Sequence, residues 1–236
     1  MTPVFYAPDI TAHPVLPEEE SAHAIRVLRM KEGDALTITD GKGVYYQATI
    51  TLPHPKHCEV SIHAQQQIPS PWRYRLHIAI APPKNMERME WFAEKATETG
   101  IHEITCLHCR YSERREIKTT RIHKILISAM KQSQQASLPV LNDVTLFSDF
   151  VARPFTGQKF IACCCESVPK QTLKHAYLPG ENALILIGPE GDFSKDEISL
   201  ALQNRFIPIS LGPTRLRTET AALVACHTIH LINMDE

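Results

Sequence analysis

The 236-residue sequence lacks any long apolar run. Nothing in it approaches the ~20 consecutive apolar residues a membrane-spanning helix needs, so no membrane partner is expected. It also lacks a strong charge of either sign: 25 Lys and Arg stand against 26 Asp and Glu, a net charge of −1. Composition therefore excludes a generally sticky polycation. The opening MTPVFYAPDI has no basic segment followed by an apolar stretch, so no signal peptide is expected. The 7 cysteines include Cys163-Cys164-Cys165 in a row, a poor disulfide framework, and read as reduced thiols of a cytoplasmic protein. A Walker A loop, a G-x-S-x-G elbow, a G-x-G-x-x-G dinucleotide loop and a His-x-x-x-His pair are all missing. Cys106-Leu107-His108-Cys109 has no second pair at structural-zinc spacing, so no metal is expected. No internal repeat or low-complexity tract occurs.

What is present is an ordinary folded composition, 43% hydrophobic and 22% charged. Residues 1 to about 70 alternate at the strand period over Ala35–Thr39, Val44–Ile50 and Cys58–Ala64. Asp40-Gly41-Lys42-Gly43 is placed as a hairpin turn between the first two runs. Glu18–Met30 has helical spacing, with Ala22, Ile25, Val27 and Leu28 as its apolar positions. Gln65–Pro71 is polar and proline-punctuated, and reads as a linker. The expected division is a small domain over 1–70 and a larger one over 71–236.

Beyond Pro71 strands alternate with helices. The spacing predicts strands over Tyr74–Ala81, Glu103–Leu107, Lys159–Cys164, Ala183–Ile187 and Phe206–Leu211. It predicts helices over Asn85–Thr99, Thr119–Gln135, Ser194–Asn204 and Arg217–Asn233. Gly100 would end the first helix, and Ser194-Lys195-Asp196-Glu197 is a capping box. Such alternation implies an α/β domain with a largely parallel sheet.

Two stretches carry the candidate chemistry. Gly188-Pro189-Glu190-Gly191 leaves a strand and precedes a capped helix; Leu211-Gly212-Pro213-Thr214-Arg215-Leu216-Arg217-Thr218-Glu219-Thr220 also runs from strand to helix. Ligands of α/β sheets bind beyond the carboxyl ends of strands, so the two Gly-Pro loops together can form one pocket. From Arg110 to Lys131 a local basic stripe holds seven cations (Arg110, Arg114, Arg115, Lys118, Arg121, Lys124, Lys131) against Glu113 and Glu116. Such a stripe is either a solvated face or a steering surface for an anionic polymer.

On these residues the sequence resembles the RsmE family of 16S rRNA uridine-N3 methyltransferases, within the SPOUT superfamily of knotted RNA methyltransferases. The resemblance spans nearly the whole chain. His23 with Arg26-Val27-Leu28-Arg29-Met30, Gly33-Asp34 and Asp40-Gly41 are similar to the family's N-terminal PUA-like domain, a small β-barrel that binds RNA. Lys84, Met89-Glu90, Lys95-Ala96-Thr97-Glu98 and Gly100 resemble the first helix of the catalytic domain. Ser112-Glu113-Arg114, Gln132-Ser133 and Pro139 match its middle segment, and the two Gly-Pro loops are its most diagnostic parts.

The resemblance implies an alpha/beta-knot fold, a mostly parallel sheet flanked by helices with a trefoil knot in the last third of the chain, and a homodimer. It implies S-adenosylmethionine as methyl donor and N3 of the uridine at position 1498 of small-subunit rRNA as acceptor. The donor would lie against Leu186, Ile187, Gly188, Pro189, Glu190 and Gly191 on one side. Leu211, Gly212, Pro213, Leu216, Arg217 and Thr218 would face it from the other. Arg217 is then expected to stabilise charge on the uracil carbonyls, and Glu219 to act as base or to orient Arg217. Phosphate contacts fall to Arg26, Arg29, Lys84, Arg110, Arg114, Arg115 and Arg121. Glu190 reads as part or support of the donor pocket.

The chain departs from the family pattern at Asp192, where a Gly is usual, at Thr214 and Gln135, where Arg is usual, and at Arg215, usually aliphatic. Two alternatives stay open: a knotted enzyme methylating a ribose 2′-hydroxyl, and an RNA-binding protein without activity.

Overall fold

The computed structural model describes residues 3–114, 116–165 and 168–234. Arg115, one of the expected phosphate contacts, lies outside them. The chain divides into two compact units, Met1–Pro71 with Ile127–Leu138, and Trp72–Leu126 with Pro139–Glu236.

The first unit contains β1 (Val4–Tyr6), α1 (Glu18–Ala22), β2 (Ala35–Thr39), β3 (Val44–Leu52) and β4 (Glu59–Gln67). The strands pair in the order β1-β2-β3-β4. Alternation puts Leu36, Ile38, Tyr46, Ala48 and Ile50 into a core shared with Phe5, Ile10 and Leu16. The hairpin forms where expected, with Thr39 opposite Tyr45. Ile127–Leu138 docks on it: the Thr39 hydroxyl donates to the Ala136 carbonyl over 2.9 Å, and the Leu138 N–H to the Gly41 carbonyl over 2.8 Å.

Two expectations for this unit fail. The helix expected over Glu18–Met30 ends at Ala22 and passes into a π-helical turn, His23–Val27. The wider turn breaks the α-helical period, so the apolar stripe no longer faces one way. Val27 is 66% and Leu28 41% exposed, while Ala24 is buried. Nor is Gln65–Gln67 linker: these residues continue β4, opposite Tyr46, Tyr45 and Val44. A strand with one solvated face accepts glutamines freely.

The second unit contains β5 (Leu76–Ile80), α2 (Met86–Thr99), β6 (Glu103–His108), α3 (Thr119–Gln132), β7 (Val140–Leu146) and α4 (Phe147–Val151). There follow β8 (Gln158–Ala162), β9 (Gln171–Thr172), α5 (Leu173–Ala176), β10 (Ala183–Ile187), α6 (Lys195–Gln203), β11 (Ile207–Ser210) and α7 (Thr218–Met234). The residues of α3 from Ile127 onward count with the first unit. The sheet has the order β7-β6-β5-β10-β8-β11-β9, and every described pairing in it is parallel. In chain order β10 inserts between the earlier β5 and β8, and β11 between β8 and β9. This interleaving brings the carboxyl ends of β10 and β11 to either side of β8, so the two Gly-Pro loops leave the sheet close together.

Local sequence sets the helix ends. The Asn85 side chain accepts from the Glu87 N–H, Gly100 closes α2 at φ +97°, and the Ser194–Glu197 capping box is formed in both directions. A Cβ on Gly100 would sit 2.4 Å from Trp72 Nε1, so space as well as conformation requires glycine there. Among the described residues no helix is long and apolar enough to cross a membrane.

Under α7 lies a buried polar chain. His230, 1% exposed, shares hydrogen bonds with the Tyr74 hydroxyl at 2.5 Å and Cys226 Sγ at 3.5 Å, and stacks on Trp72. Burial pushes its pKa down to about 4, with His102 and His227 adding to the shift. Burial likewise lowers that of His77, against the opposing pull of Glu103. Both rings take up protons more readily unfolded than folded. Their contribution is complete above pH 6.5 and declines as pH falls from 6.5 toward 4. Stability is expected to drop by roughly 3 kcal/mol over that window from His230 alone. Urea titrations at pH 7.5 and 4.5 check this, and an unchanged midpoint would contradict it.

Candidate active site

The loops after β10 and β11 enclose a pocket of about 870 Å³ within the second unit. The first loop is a tight turn in which the Asp192 N–H donates to the Pro189 carbonyl over 2.9 Å. The second passes through Gly212 at φ +138°, a conformation only glycine adopts readily. Two hydrogen bonds tie the loops together: the buried Thr218 hydroxyl donates to the Gly188 carbonyl over 3.1 Å, and Arg215 Nη2 to the Glu190 carbonyl over 3.3 Å. Thr218→Val keeps the shape and leaves the Gly188 carbonyl unpaired. It is expected to weaken donor binding about 5- to 100-fold, from a penalty of ~1–3 kcal/mol on the loop pair. Calorimetric titration checks this, and unchanged affinity would show that the tie does not shape the pocket.

Ten of the twelve residues expected to hold the donor line this pocket: Ile187 to Glu190, Leu211 to Pro213, and Leu216 to Thr218. Leu186 is fully buried in the core, because β10 turns its side chain away from the loop end. Gly191 is not a lining residue; a Cβ there would point at the Tyr111 side chain, 3.3 Å away. Glu190 is a brace. Its Oε1 accepts from the Lys84 N–H over 3.0 Å, and its carbonyl accepts from Arg215 Nη2 over 3.3 Å.

Sequence reasoning overlooked several lining residues, among them Arg88, Lys170 and Cys164. Cys164 follows the carboxyl end of β8, the strand between the two loops, and that position could have marked it. Lys170 Nζ donates to the carbonyls of Cys163 and Cys165. The Cys163 thiol is pushed up to about 11, by burial first and the Asp192 charge second. It stays protonated near neutrality and offers no nucleophile. Among the described residues no cluster of His, Cys, Asp or Glu is arranged to hold a metal.

Glu219 faces a second, smaller cleft beside the first. Its nearest cation is Arg88, with Nε 3.7 Å from Oε1, and Oε2 is buried with no hydrogen-bond partner. Arg217 is exposed and lines both cavities.

The expected phosphate contacts are in unequal states. Arg26 and Arg29 are exposed around the π-turn of the first unit, Arg29 at φ +56°. In the second unit Lys84 is paired with Glu113 at 3.1 Å, and Arg121 grips Glu90 through two contacts of 2.7 and 2.8 Å. Arg114 Nε donates to the Lys84 carbonyl, and Arg110 is exposed. Lys131, at the end of the stripe, is bound to Glu20 in the first unit. The stripe is therefore partly neutralised.

Residues 70–230 match the RNA methyltransferase domain family, and residues 16–62 match the RNA methyltransferase PUA domain. A ribosomal RNA small subunit methyltransferase E from Synechocystis is 30% identical over 88% of this chain and 69% of its own length. The chain belongs to the ribosomal RNA small subunit methyltransferase E family. Its fold is shared with a probable rRNA-methyltransferase from Porphyromonas gingivalis, 46% identical at a TM-score of 0.93, covering 99% of both chains. It is shared too with a Legionella pneumophila methyltransferase solved with bound S-adenosylmethionine. That protein is 29% identical at a TM-score of 0.87, over 99% of this chain and 98% of its own.

Within this methyltransferase two of the departures have structural roles. Asp192 sits at φ +65°, in the left-handed region that Asp tolerates better than most residues. Its carboxylate accepts from the N–H groups of Cys164 and Phe193, each over 2.8 Å, which a glycine could not do. Arg215 braces the first loop through Glu190, as described above.

Proposed function

We propose that the protein methylates N3 of the uridine at position 1498 in small-subunit rRNA, with S-adenosylmethionine as donor. The pocket between the two Gly-Pro loops carries this reading; it is supported by relatives named as small-subunit rRNA methyltransferases and by a Legionella methyltransferase that binds S-adenosylmethionine. The pocket suits a zwitterionic nucleoside. Ile187, Ile209, Leu211 and Leu216 offer apolar walls for a purine ring. The loop backbone offers donors and acceptors for its edge, and Lys170 offers a cation for a carboxylate.

When bound, the donor supplies a methyl group on a sulfonium. The chain's own residues then have two tasks. The loops fix the donor, which converts an encounter of two molecules into a positioned one. Arg217, at the wall common to both cavities, stabilises negative charge on the uracil carbonyls as N3 loses its proton.

In this reading residues 1–70 form an RNA-binding domain and residues 71–236 the methyltransferase. Arg26, Arg29, Arg110 and Arg114 meet phosphates; Lys84 and Arg121, held by carboxylates, do so only by releasing them. The working form is a cytoplasmic homodimer. Nucleoside mass spectrometry of rRNA from cells lacking the protein tests the reaction. Loss of 3-methyluridine is expected; its persistence would end this reading.

A further inference from the structure

An α-helix continued past Ala22 would place Val27 and Leu28 three and four residues beyond the buried Ala24, on the same inward face. The π-helical turn at His23–Val27 closes its hydrogen bonds one residue later, as from the Leu28 N–H to the His23 carbonyl, and turns both side chains outward. Val27 is the most exposed large apolar side chain among the described residues, and Leu28 beside it is open as well. Arg26 and Arg29 flank the pair, both exposed. Neither guanidinium has a hydrogen-bond or carboxylate partner among the described residues, unlike Lys84 and Arg121. From His23 to Lys31 the stretch contains no acid.

The turn also carries strain. Arg29 stands at φ +56°, the left-handed region in which a helix-ending glycine is usual and a Cβ is crowded. Glycine would make the same turn without that strain, so what arginine adds here is its charge. A widened turn, an adjacent apolar pair brought to the surface and a strained, unpaired cation are three separate observations at one place.

We propose that this turn is an RNA wedge: Val27 and Leu28 pack against unstacked bases, while Arg26 and Arg29 hold the phosphates on either side. The wedge rests on reading residues 1–70 as an RNA-binding domain, and adds a contact with bases to the phosphate contacts of the two arginines. A single strand alternates flat base faces with charged phosphates. The turn matches that order, with a cation, two apolar side chains and a second cation. Paired RNA keeps its base faces inside the stack, so the ligand is a loop, bulge or end rather than a duplex. Aliphatic side chains hold bases apart once they have entered between them, but they read no base edge. The wedge therefore supplies affinity and unstacking, not a choice of sequence.

The test uses the full chain and small-subunit RNA lacking the modification, with affinity measured across a salt series. Val27→Ser combined with Leu28→Ser should bind about 10- to 100-fold more weakly, as expected when two apolar side chains are no longer covered. Its salt slope should stay at the wild-type value, because no phosphate contact is lost. Arg26→Ala should instead lower that slope by about 0.7, the share of one single-strand phosphate. Arg29→Gly relieves the backbone, so Tm should hold or rise while RNA affinity falls several-fold, the reverse of a residue that serves the fold. Acylation mapping of the RNA 2′-hydroxyls reads unstacking directly: nucleotides made reactive by the wild type should lose that reactivity with the double serine variant. Wild-type affinity in the double variant, or an unchanged set of reactive nucleotides, overturns the inference. So does a double variant that binds free RNA normally and fails only on the assembled small subunit, which would give the patch a protein partner. If the wild type binds no RNA at all, the RNA-binding reading itself has failed. If the wild type binds RNA and the double variant binds it equally, only this inference has failed.

Discussion

Arg217→Ala is expected to lower kcat by about 10²- to 10³-fold while leaving donor affinity within a few-fold of wild type. The asymmetry follows from where the side chain stands. Arg217 lines both cavities, and its guanidinium has no described carboxylate partner. The loops are held instead by the Thr218–Gly188 hydrogen bond and the Arg215–Glu190 contact. Removing Arg217 takes away charge stabilisation at the acceptor and leaves that framework in place. Single-turnover rates with calorimetric donor binding separate the two effects. Unimpaired turnover would remove Arg217 from the chemistry; lost donor binding would make it a pocket residue only.

The second large effect concerns stability. Leu186 adjoins the first Gly-Pro loop in sequence but is fully buried among Phe193, Ile198 and Phe206 in the core of the second unit. Leu186→Ala is expected to destabilise by ~2–5 kcal/mol, through lost burial and the cavity left behind. That lowers Tm by roughly 5–15 °C for a chain of this size. Donor affinity of the folded fraction should hardly change. Thermal melts and titration below the transition distinguish this from a pocket role, in which affinity would fall at unchanged Tm.

Leu186 and Ile187 also mark how far the sequence could be read. The strand and the pocket-forming loop were legible, because four apolar residues running into Gly-Pro make a strong boundary. Which neighbour faces the pocket was not, since adjacent strand residues point to opposite sides and the sheet is buried on both. The α2 and α6 boundaries came through accurately, because Asn85, Gly100 and the Ser194 box fix them by local hydrogen bonds. The end of the helix after Glu18 is not legible, because the π-turn at His23–Val27 leaves no mark on apolar periodicity. Glu219 was visible as an acid in a first helical turn, but its pairing with Arg88 spans 131 residues of chain and depends on how α2 packs on α7.

The interleaved strand order shows the same limit on a larger scale. Alternating strands and helices pointed to a parallel sheet, and the sheet is parallel. That β10 lies between β5 and β8 rather than at an edge is a property of the whole chain, and no window of sequence contains it. This placement turns two separate Gly-Pro turns into one pocket.

The most direct measurement incubates purified protein with isotope-labelled S-adenosylmethionine and small-subunit RNA lacking the modification, then digests the product for nucleoside mass spectrometry. Label is expected in 3-methyluridine, at a single position. Label in a 2′-O-methyl nucleoside, or an unlabelled RNA alongside a protein that binds the donor, would contradict it.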